Sequence, residues 1–428
     1  MKAAPGPGSR QSIQSVKGMR DLLPPETAVW AAVEATARRV FASYGYGEIR
    51  TPVVEETELF VRGVGASTDI VGKEMYSFTD KRGKSLTLRP ENTAPVARAY
   101  IEHGLRELPA PQKLFYIGPQ FRYERPQRGR YRQFYQIGAE LLGDPGPAGD
   151  GELLLMLVRF LRELGFPQLM VLVNTVGDET SRAAFREALR AHLAPHREAL
   201  GEDSRRRLDT NPLRILDTKA PAELELLAAA PELQSFLSPE SRDHFAAVLD
   251  ILCRFEVPHR VEKRLVRGLD YYTRTVFEIT AGGLGAQDAV VGGGRYDGLI
   301  SDLGGPEVSG IGFAIGEDRL LDVVPESFRR DALPPPAVFV AAVAPVGLAE
   351  ALAFAEELRQ AGVAAVADLQ VRPLKAALKR ADRLGVRRVA LLGAEELAAG
   401  EVTVRDLAAG EQARWPRAAA IGRLKEET

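Results

Sequence analysis

The segment from Leu114 to Leu142 constrains this chain more than any other. In LFYIGPQFRYE, the residues Phe115, Ile117, Phe121 and Tyr123 alternate with Gly118, Gln120, Arg122 and Glu124. A period of two places these sets on opposite faces of a strand, one apolar and one polar with a gap at glycine. After the turn RPQRGRY the alternation resumes in RQFYQIGAELL and gathers Gln136, Gly138 and Glu140 on one face. The spacing predicts two antiparallel strands joined by a long basic loop.

The surroundings of this pair predict a mixed fold. Ala28 to Tyr44 carries Val29, Val33, Ala37, Val40 and Phe41 at helical spacing, and Gly45 stops the helix. EIRTPVVEETELF then reads as a strand with Pro52 near its start, and SLTLRP as another short strand ending at Glu91. From about Asp178 to Phe255 the sequence is helix-like and charge-rich, as an insertion between strands. Strand pattern returns at RLVRGLDYYTRTVFEIT, followed by the turn-rich QDAVVGGGRYDGL and then by GIGFAIGEDRLLDVV, a glycine-spaced strand entering a helix. The Pro-rich DALPPPA near residue 335 marks a domain boundary. Beyond it VFVAAV, a helix near 348 to 361, VAAVADL, a basic helix, RVALLG and EVTVRDL alternate as in a small α/β domain.

Composition removes several classes of function. With 56 Lys and Arg against 58 Asp and Glu, the net charge of -2 excludes a polybasic nucleic-acid coat, and 428 residues leave room for two or three domains. Cys253 is the single cysteine, so an intrachain disulfide, an iron–sulfur cluster and a cysteine zinc site are excluded, and its apolar helical setting predicts a buried, inert thiol. The five histidines show no metal spacing, and His192 and His196 are expected on the surface. MKAAPGPGSRQS has no apolar export signal, and the uncharged run from Ala332 to Ala349 holds four prolines and a glycine, which argues for a linker feeding a buried strand rather than a membrane helix. The expected compartment is the cytoplasm, with no membrane partner.

The common catalytic signatures are missing: there is no GxxxxGK[ST], HExxH or GxSxG. What remains is the polar face of the paired strands, where Arg122, Glu124, Gln136 and Glu140 surround Gly118 and Gly138. Arginine binds phosphate or carboxylate bidentately, while carboxylate and glutamine suit an ammonium or another nitrogen donor. The bland alternative is the solvated outer face of an antiparallel sheet. RGLDYY adds Arg267, Asp270, Tyr271 and Tyr272, either as ligand contacts or as core tyrosines with a surface ion pair. Arg125, Arg128, Arg130 and Arg132 form one basic cluster, and Arg372 to Arg388, with Lys379 and Arg380, a second. Each is a solvated face or one end of a polyanion site.

Taken together these motifs resemble the histidyl-tRNA synthetase family of class II aminoacyl-tRNA synthetases over nearly the whole chain. RTPVVEETELF is similar to motif 1, FRYERPQRGRYRQFYQIGAE to motif 2 and its loop, and GIGFAIGEDRL to motif 3. LTLRPENTA, LVRGLDYYTRTVFE and GGGRYDGL resemble the family's histidine-site signatures, and RRRLDTNPLRILDTK its helical insertion. The implied fold is an α+β catalytic domain on an antiparallel sheet flanked by helices, residues 1–330, with a helical insertion at 178–258 and a C-terminal α/β anticodon-binding domain at 337–428.

The resemblance also implies residue roles. Glu91, Thr93 and Gln136 would hold the substrate α-amino group, with Asn92 beside them in the histidine site, Glu140 and Tyr272 on the imidazole, and Tyr271 along the pocket. Arg122 and Arg267 would meet the carboxylate and α-phosphate, and Arg319 the γ-phosphate, with Glu124 and Arg130 beside ATP. Gln127, Arg128 and Arg130, together with Lys379 and Arg380, would touch tRNA. ATP with Mg²⁺, L-histidine and tRNA(His) are the implied partners, in a homodimer without zinc or an organic prosthetic group. Asn92 replaces a common Gly and Asp318 a common Glu in these patterns. The competing reading is a synthetase-like regulatory subunit of ATP phosphoribosyltransferase, a paralogue that typically lacks the anticodon-binding domain.

Overall fold

The computed structural model describes residues 13–65, 68–127, 129–281, 289–333 and 338–426. The N-terminal tail, Arg128 and the prolines of DALPPPA lie outside the described residues. The chain divides into two compact units, Met1–Arg330 and Asp331–Thr428.

In the first unit the described strands are β1 (Gly47–Glu48), β2 (Val54–Glu56), β3 (Tyr76–Thr79), β4 (Ser85–Leu88), β5 (Gln112–Phe121), β6 (Gln133–Leu142), β7 (Leu169–Thr175), β8 (His259–Val261), β9 (Thr273–Ala281), β10 (Ala289–Arg295) and β11 (Gly310–Gly316). Among the described residues eight of them form one sheet in the order β1-β5-β6-β11-β10-β9-β7-β8, antiparallel except for the two outermost pairs. The long β5–β6 pair runs in the register Gly118 opposite Gln136 and Tyr116 opposite Gly138, as the alternation predicts. The helix Glu26–Ser43 packs its apolar stripe on this sheet: Phe41 meets Phe115 of β5, Phe313 of β11 and Phe160 of the helix Pro147–Glu163, with ring centroids 5.5 to 5.7 Å apart. Such edge contacts fix the depth at which the helix sits. The region after β7 folds as helices Glu179–Leu193, Glu202–Thr210, Pro221–Ala228 and Pro239–Arg254; the first three share a core built on Phe185, Leu189, Leu208 and Ile215, while the fourth packs on the helix Pro147–Glu163, where His244 lies 2.8 Å from Asp150.

Four expectations are corrected. Thr57–Val64 is a helix rather than the continuation of a strand, because its apolar residues Leu59, Phe60 and Val64 recur at helical spacing and are buried. RLVRGLDYY is not a strand; pairing begins only at Thr273. AVVGGGR is not a turn but the buried central strand β10, since glycine tolerates a strand wherever neighbouring groups fill the space of its missing side chain. Cys253 is exposed, its sulfur 3.8 Å from His259.

The second unit carries β12 (Val338–Ala342), β13 (Ala365–Ala367), β14 (Arg388–Leu392), β15 (Glu401–Asp406) and β16 (Gln412–Pro416), ordered β13-β12-β14-β15-β16. Helices Leu348–Gln360, Leu374–Arg383 and Arg417–Glu426 accompany the sheet, and β12 is buried throughout, as a strand leaving the uncharged linker should be. No described helix is long and apolar enough to cross a membrane.

One residue of the first unit works against stability. Glu317, at the start of the helix Glu317–Val323, is fully buried, and neither carboxyl oxygen has a hydrogen-bond partner. Burial, then the charges of Glu34 and Asp318, push its pKa well above the ordinary range. The native state therefore holds a proton that the unfolded chain releases, so this group's contribution to stability is full below the unfolded pKa and is lost as pH rises through the folded one. Glu317→Leu is expected to stabilise the protein at neutral pH by about 1–3 kcal/mol, with the gain shrinking toward pH 4. Denaturant unfolding across pH checks this, and a gain independent of pH would reject the account.

Candidate active site

The polar face of the sheet opens into a cavity of about 450 Å³. Its walls include Glu91, Thr93, Arg122, Glu124, Arg130, Gln136, Arg267, Tyr271, Tyr272 and Arg319. The bland alternative of a solvated sheet face is thereby replaced by a concave site. The expected gaps at Gly118 and Gly138 are not ligand space, however. A Cβ on Gly118 would lie 2.8 Å from the Arg89 guanidinium, and one on Gly138 only 2.3 Å from the Tyr116 phenol. These glycines admit protein side chains that build the floor.

One set of contacts forms a polar, deeply buried end. Glu91 closes the N-terminus of the helix Thr93–Glu102, its two oxygens accepting from the N–H groups of Thr93 at 2.7 Å and Ala94 at 3.0 Å. Burial nevertheless raises its pKa, against those bonds and the charge of Arg122. Thr93 donates from its hydroxyl to Glu140 at 2.8 Å, and Tyr296 donates to the other Glu140 oxygen. Gln136 is buried and its Oε1 has no donor, which leaves an acceptor free beside the cavity. The rings of Tyr271 and Tyr272 lie 4.7 Å apart, and Tyr271 meets Tyr296 edge-on at 5.6 Å.

Two of the expected residues stand behind the cavity wall. Asn92 is buried with its Oδ1 accepting from the Thr51 hydroxyl at 2.6 Å, and it does not line the cavity. Glu140 also lies outside the cavity wall, behind Thr93, Tyr116 and Tyr296. Burial first, with the nearby charge of Glu91, pushes its pKa up to about 8 despite these hydroxyl donors.

The other set is cationic. Arg122 follows β5, donates from Nε to the Pro90 carbonyl at 2.8 Å and stacks over Phe134 at 5.2 Å. Glu124 stands 4.0 Å from Arg122 and 3.7 Å from Arg130, inside the loop between β5 and β6. That loop is closed by Gln127 and Arg130, which exchange backbone hydrogen bonds at 2.9 and 3.1 Å; Gln127 does not line the cavity. Arg319 reaches the wall from the helix after β11, its pKa held low by burial and by Arg130. Arg267 donates to Glu278 and passes over β10, where a Cβ on Gly292 would fall 2.0 Å from its guanidinium. Asp318 orients this region, accepting from Arg20 at 3.1 Å and from the Tyr135 N–H at 2.9 Å. Arginines gathered along one wall suit an oligophosphate. In the second unit, Lys379 and Arg380 are exposed on the helix Leu374–Arg383, with Arg380 3.7 Å from Asp368.

Tyr116, Tyr296 and Glu278 line the site without having been anticipated. Tyr116 shares the strand parity of Gly118, and Glu278 is the one acid of its strand, set between Phe277 and Ile279, so both were signalled. Tyr296 was hidden by the turn-like reading of its glycines.

An antiparallel sheet bearing arginines over such a cavity, followed by a separate α/β unit, defines a class II aminoacyl-tRNA synthetase architecture. Sequence and structure comparisons agree and narrow the class. The family described as histidyl-tRNA synthetase matches residues 18–320, and an anticodon binding domain matches residues 337–427. A histidine–tRNA ligase of Nitratidesulfovibrio vulgaris strain DP4 is 48% identical over 413 residues, covering 96% of this chain and 98% of its own. Another, of Desulforudis audaxviator, is 49% identical over 97% of this chain and 99% of its own. The crystal structure of apo histidyl-tRNA synthetase from S. aureus superposes with a TM-score of 0.81 at 35% identity, covering 97% and 100% of the two chains. This chain belongs to the histidyl-tRNA synthetase family.

Proposed function

We propose that this protein activates L-histidine with ATP to histidyl-adenylate and transfers histidine to the 3′ end of tRNA(His), releasing pyrophosphate and AMP. The observation that carries the reading is one cavity joining a buried nitrogen-binding end to a cluster of arginines.

In this reading the α-ammonium group meets Glu91, Thr93 and the open acceptor of Gln136. Tyr272 and Tyr271 enclose the imidazole, and Glu140 sets the hydroxyls of Thr93 and Tyr296 from behind. A carboxylate oxygen of histidine attacks the α-phosphorus, the bond to the bridging oxygen breaks, and pyrophosphate leaves with that electron pair. Arg122 and Arg267 stabilise the charge that develops at the α-phosphate, and Arg319 and Arg130 hold the terminal phosphates. Mg²⁺ brought in with ATP would offset the charge of the phosphates, and Glu124 and Glu278 are the cavity carboxylates that would offer it hard oxygen atoms. Among the described residues no group of three or more His, Cys, Asp or Glu side chains is placed to hold a metal ion. The tRNA acceptor end approaches the loop of Gln127, Arg128 and Arg130, and Lys379 and Arg380 serve the second domain's contact with tRNA.

The same reading makes the protein a cytoplasmic homodimer joined across motif 1, where Val53 and Val54 are exposed and β2 forms with β4 and β3 a three-stranded sheet that also exposes Phe78. The regulatory-subunit alternative is disfavoured by the anticodon-binding match over residues 337–427. The test is ATP–pyrophosphate exchange with each standard amino acid supplied separately, followed by tRNA charging. Exchange is expected with histidine alone. Folded, ATP-binding protein that exchanges with no amino acid would return the argument to the regulatory subunit.

A further inference from the structure

Resting on that reading, we infer that Asn211 and Arg214 of the helical insertion are positioning residues for the histidine pocket, acting through Asp270 without touching substrate. The stretch from Val266 to Tyr272 carries Arg267, Tyr271 and Tyr272 into the cavity but belongs to no strand or helix. Its conformation must therefore be set from outside. The donors come from the insertion. Asn211 Nδ2 donates to Asp270 Oδ1 at 2.9 Å, and Arg214 Nε donates to the same oxygen at 3.3 Å. Arg214 also donates from Nη2 to the Gly268 carbonyl at 2.7 Å, so its fork spans the loop on either side of Leu269. Arg182 donates from Nη1 to the carbonyls of Tyr272 and Asp270.

Packing ties the same parts together. Tyr272 and Val276 are members of the insertion's own core, alongside Phe185, Leu189, Leu208 and Ile215. On its other side Asp270 fills the space over Gly65, whose Cβ would lie 2.9 Å from Oδ2. Asp270 is thus a knot between the insertion, the pocket loop and the end of the helix Thr57–Val64. Asn211 stands between two helical segments, Glu202–Thr210 and the short turn Pro212–Asp217, so a shift of the insertion moves both donors together. The insertion in this way sets the placement of Arg267 and of the two tyrosines, and small misplacements of reacting groups are costly to rate.

The experiment is histidine-dependent pyrophosphate exchange with Arg214→Ala, Asn211→Ala and their double variant in the full chain, with thermal unfolding measured alongside. Arg214→Ala is expected to lower kcat/KM for histidine by roughly 10- to 100-fold, largely as a raised KM, while KM for ATP stays within about threefold. Arg214→Lys, which keeps one charge but loses the fork, is expected to fall between. Because both donors share Asp270 Oδ1, the double variant should lose less than the product of the single losses. Arg197→Ala, which breaks a bidentate pair with Asp209 in the same insertion, is expected to leave these constants unchanged. If Arg214→Ala does not fold, Asn211→Ala and Asp270→Asn give the same reading. A natively melting variant with histidine kcat/KM within twofold of wild type overturns the inference, as does equal loss with Arg197→Ala. Absence of histidine exchange in the wild type would remove the functional reading, and the inference with it.

Discussion

Arg267→Ala is expected to lower histidine-dependent pyrophosphate exchange by ~10²–10³-fold while the fold persists, the loss typical of removing one preorganised charge donor. The structure is arranged around this side chain. Gly292 of β10 gives up its side chain so that the guanidinium can lie on the sheet, and Glu278 fixes it from the next strand. Burial works against its charge, but Tyr272 and Glu278 more than offset this and hold its pKa above the ordinary arginine value. It is therefore cationic at every assay pH and acts by position, not by proton transfer. In the proposed role lysine cannot restore the effect, since it lacks the planar fork that would engage Glu278 and a phosphate oxygen together. Gly292→Ala should reproduce much of the loss without removing any charge, because its Cβ would occupy the guanidinium's place. Exchange rates with a thermal melt check both variants, and near-wild-type turnover in a folded Arg267→Ala protein would remove Arg267 from the reaction.

The central hairpin was legible because a solvent- or ligand-facing strand alternates with a period of two, as β5 does from Phe115 to Phe121 and β6 from Tyr135 to Leu141. The helix Glu26–Ser43 and the strand-into-helix at Gly310–Val323 were legible for the same reason, one period each. β10 was not. Its glycines carry no alternation at all, and what makes them a strand is supplied by residues distant in sequence: Arg267 over Gly292 and Tyr272 against Gly294. Local pattern also misplaced RLVRGLDYY, whose conformation is imposed by the insertion and not by its own periodicity. The site shows the same division. Arg122 and Glu124 could be read from strand parity, whereas the depth of Glu140 and the turning of Asn92 toward Thr51 depend on which hydroxyls fold against them. Charge type was readable from sequence, and layer was not.

Glu140→Ala is expected to damage histidine recognition and stability together. Three hydroxyls point at this carboxyl, from Thr93 at 2.8 Å, from Tyr116 at 3.5 Å and from Tyr296, and Gly312 leaves the space it occupies. Truncation would leave buried donors without an acceptor, at about 1–3 kcal/mol for each properly made bond. The tyrosines and Thr93 would then turn to other partners, and the KM for histidine is expected to rise by roughly 10²-fold, since a site built to hydrogen-bond its substrate loses most when its polar groups are misaligned. The pH dependence separates this role from simple packing. With its pKa raised to about 8 in the folded protein, against 4.5 for the unperturbed group, Glu140 holds a proton in the native state over an interval where the unfolded chain has released it. Its contribution to stability is accordingly full below the unfolded pKa and lost as pH rises through the folded one. Glu140→Gln keeps an acceptor for the hydroxyls but cannot titrate, so its unfolding free energy should fall less steeply than that of wild type between pH 5 and pH 9 (about the interval over which the two states differ in bound protons). Denaturant unfolding of wild type, Gln and Ala variants across that interval, with histidine KM from exchange, measures both effects. A Glu140→Ala protein with unchanged histidine KM, or a Gln variant with the wild-type pH slope, would show that the carboxyl neither sets the pocket nor carries the proton.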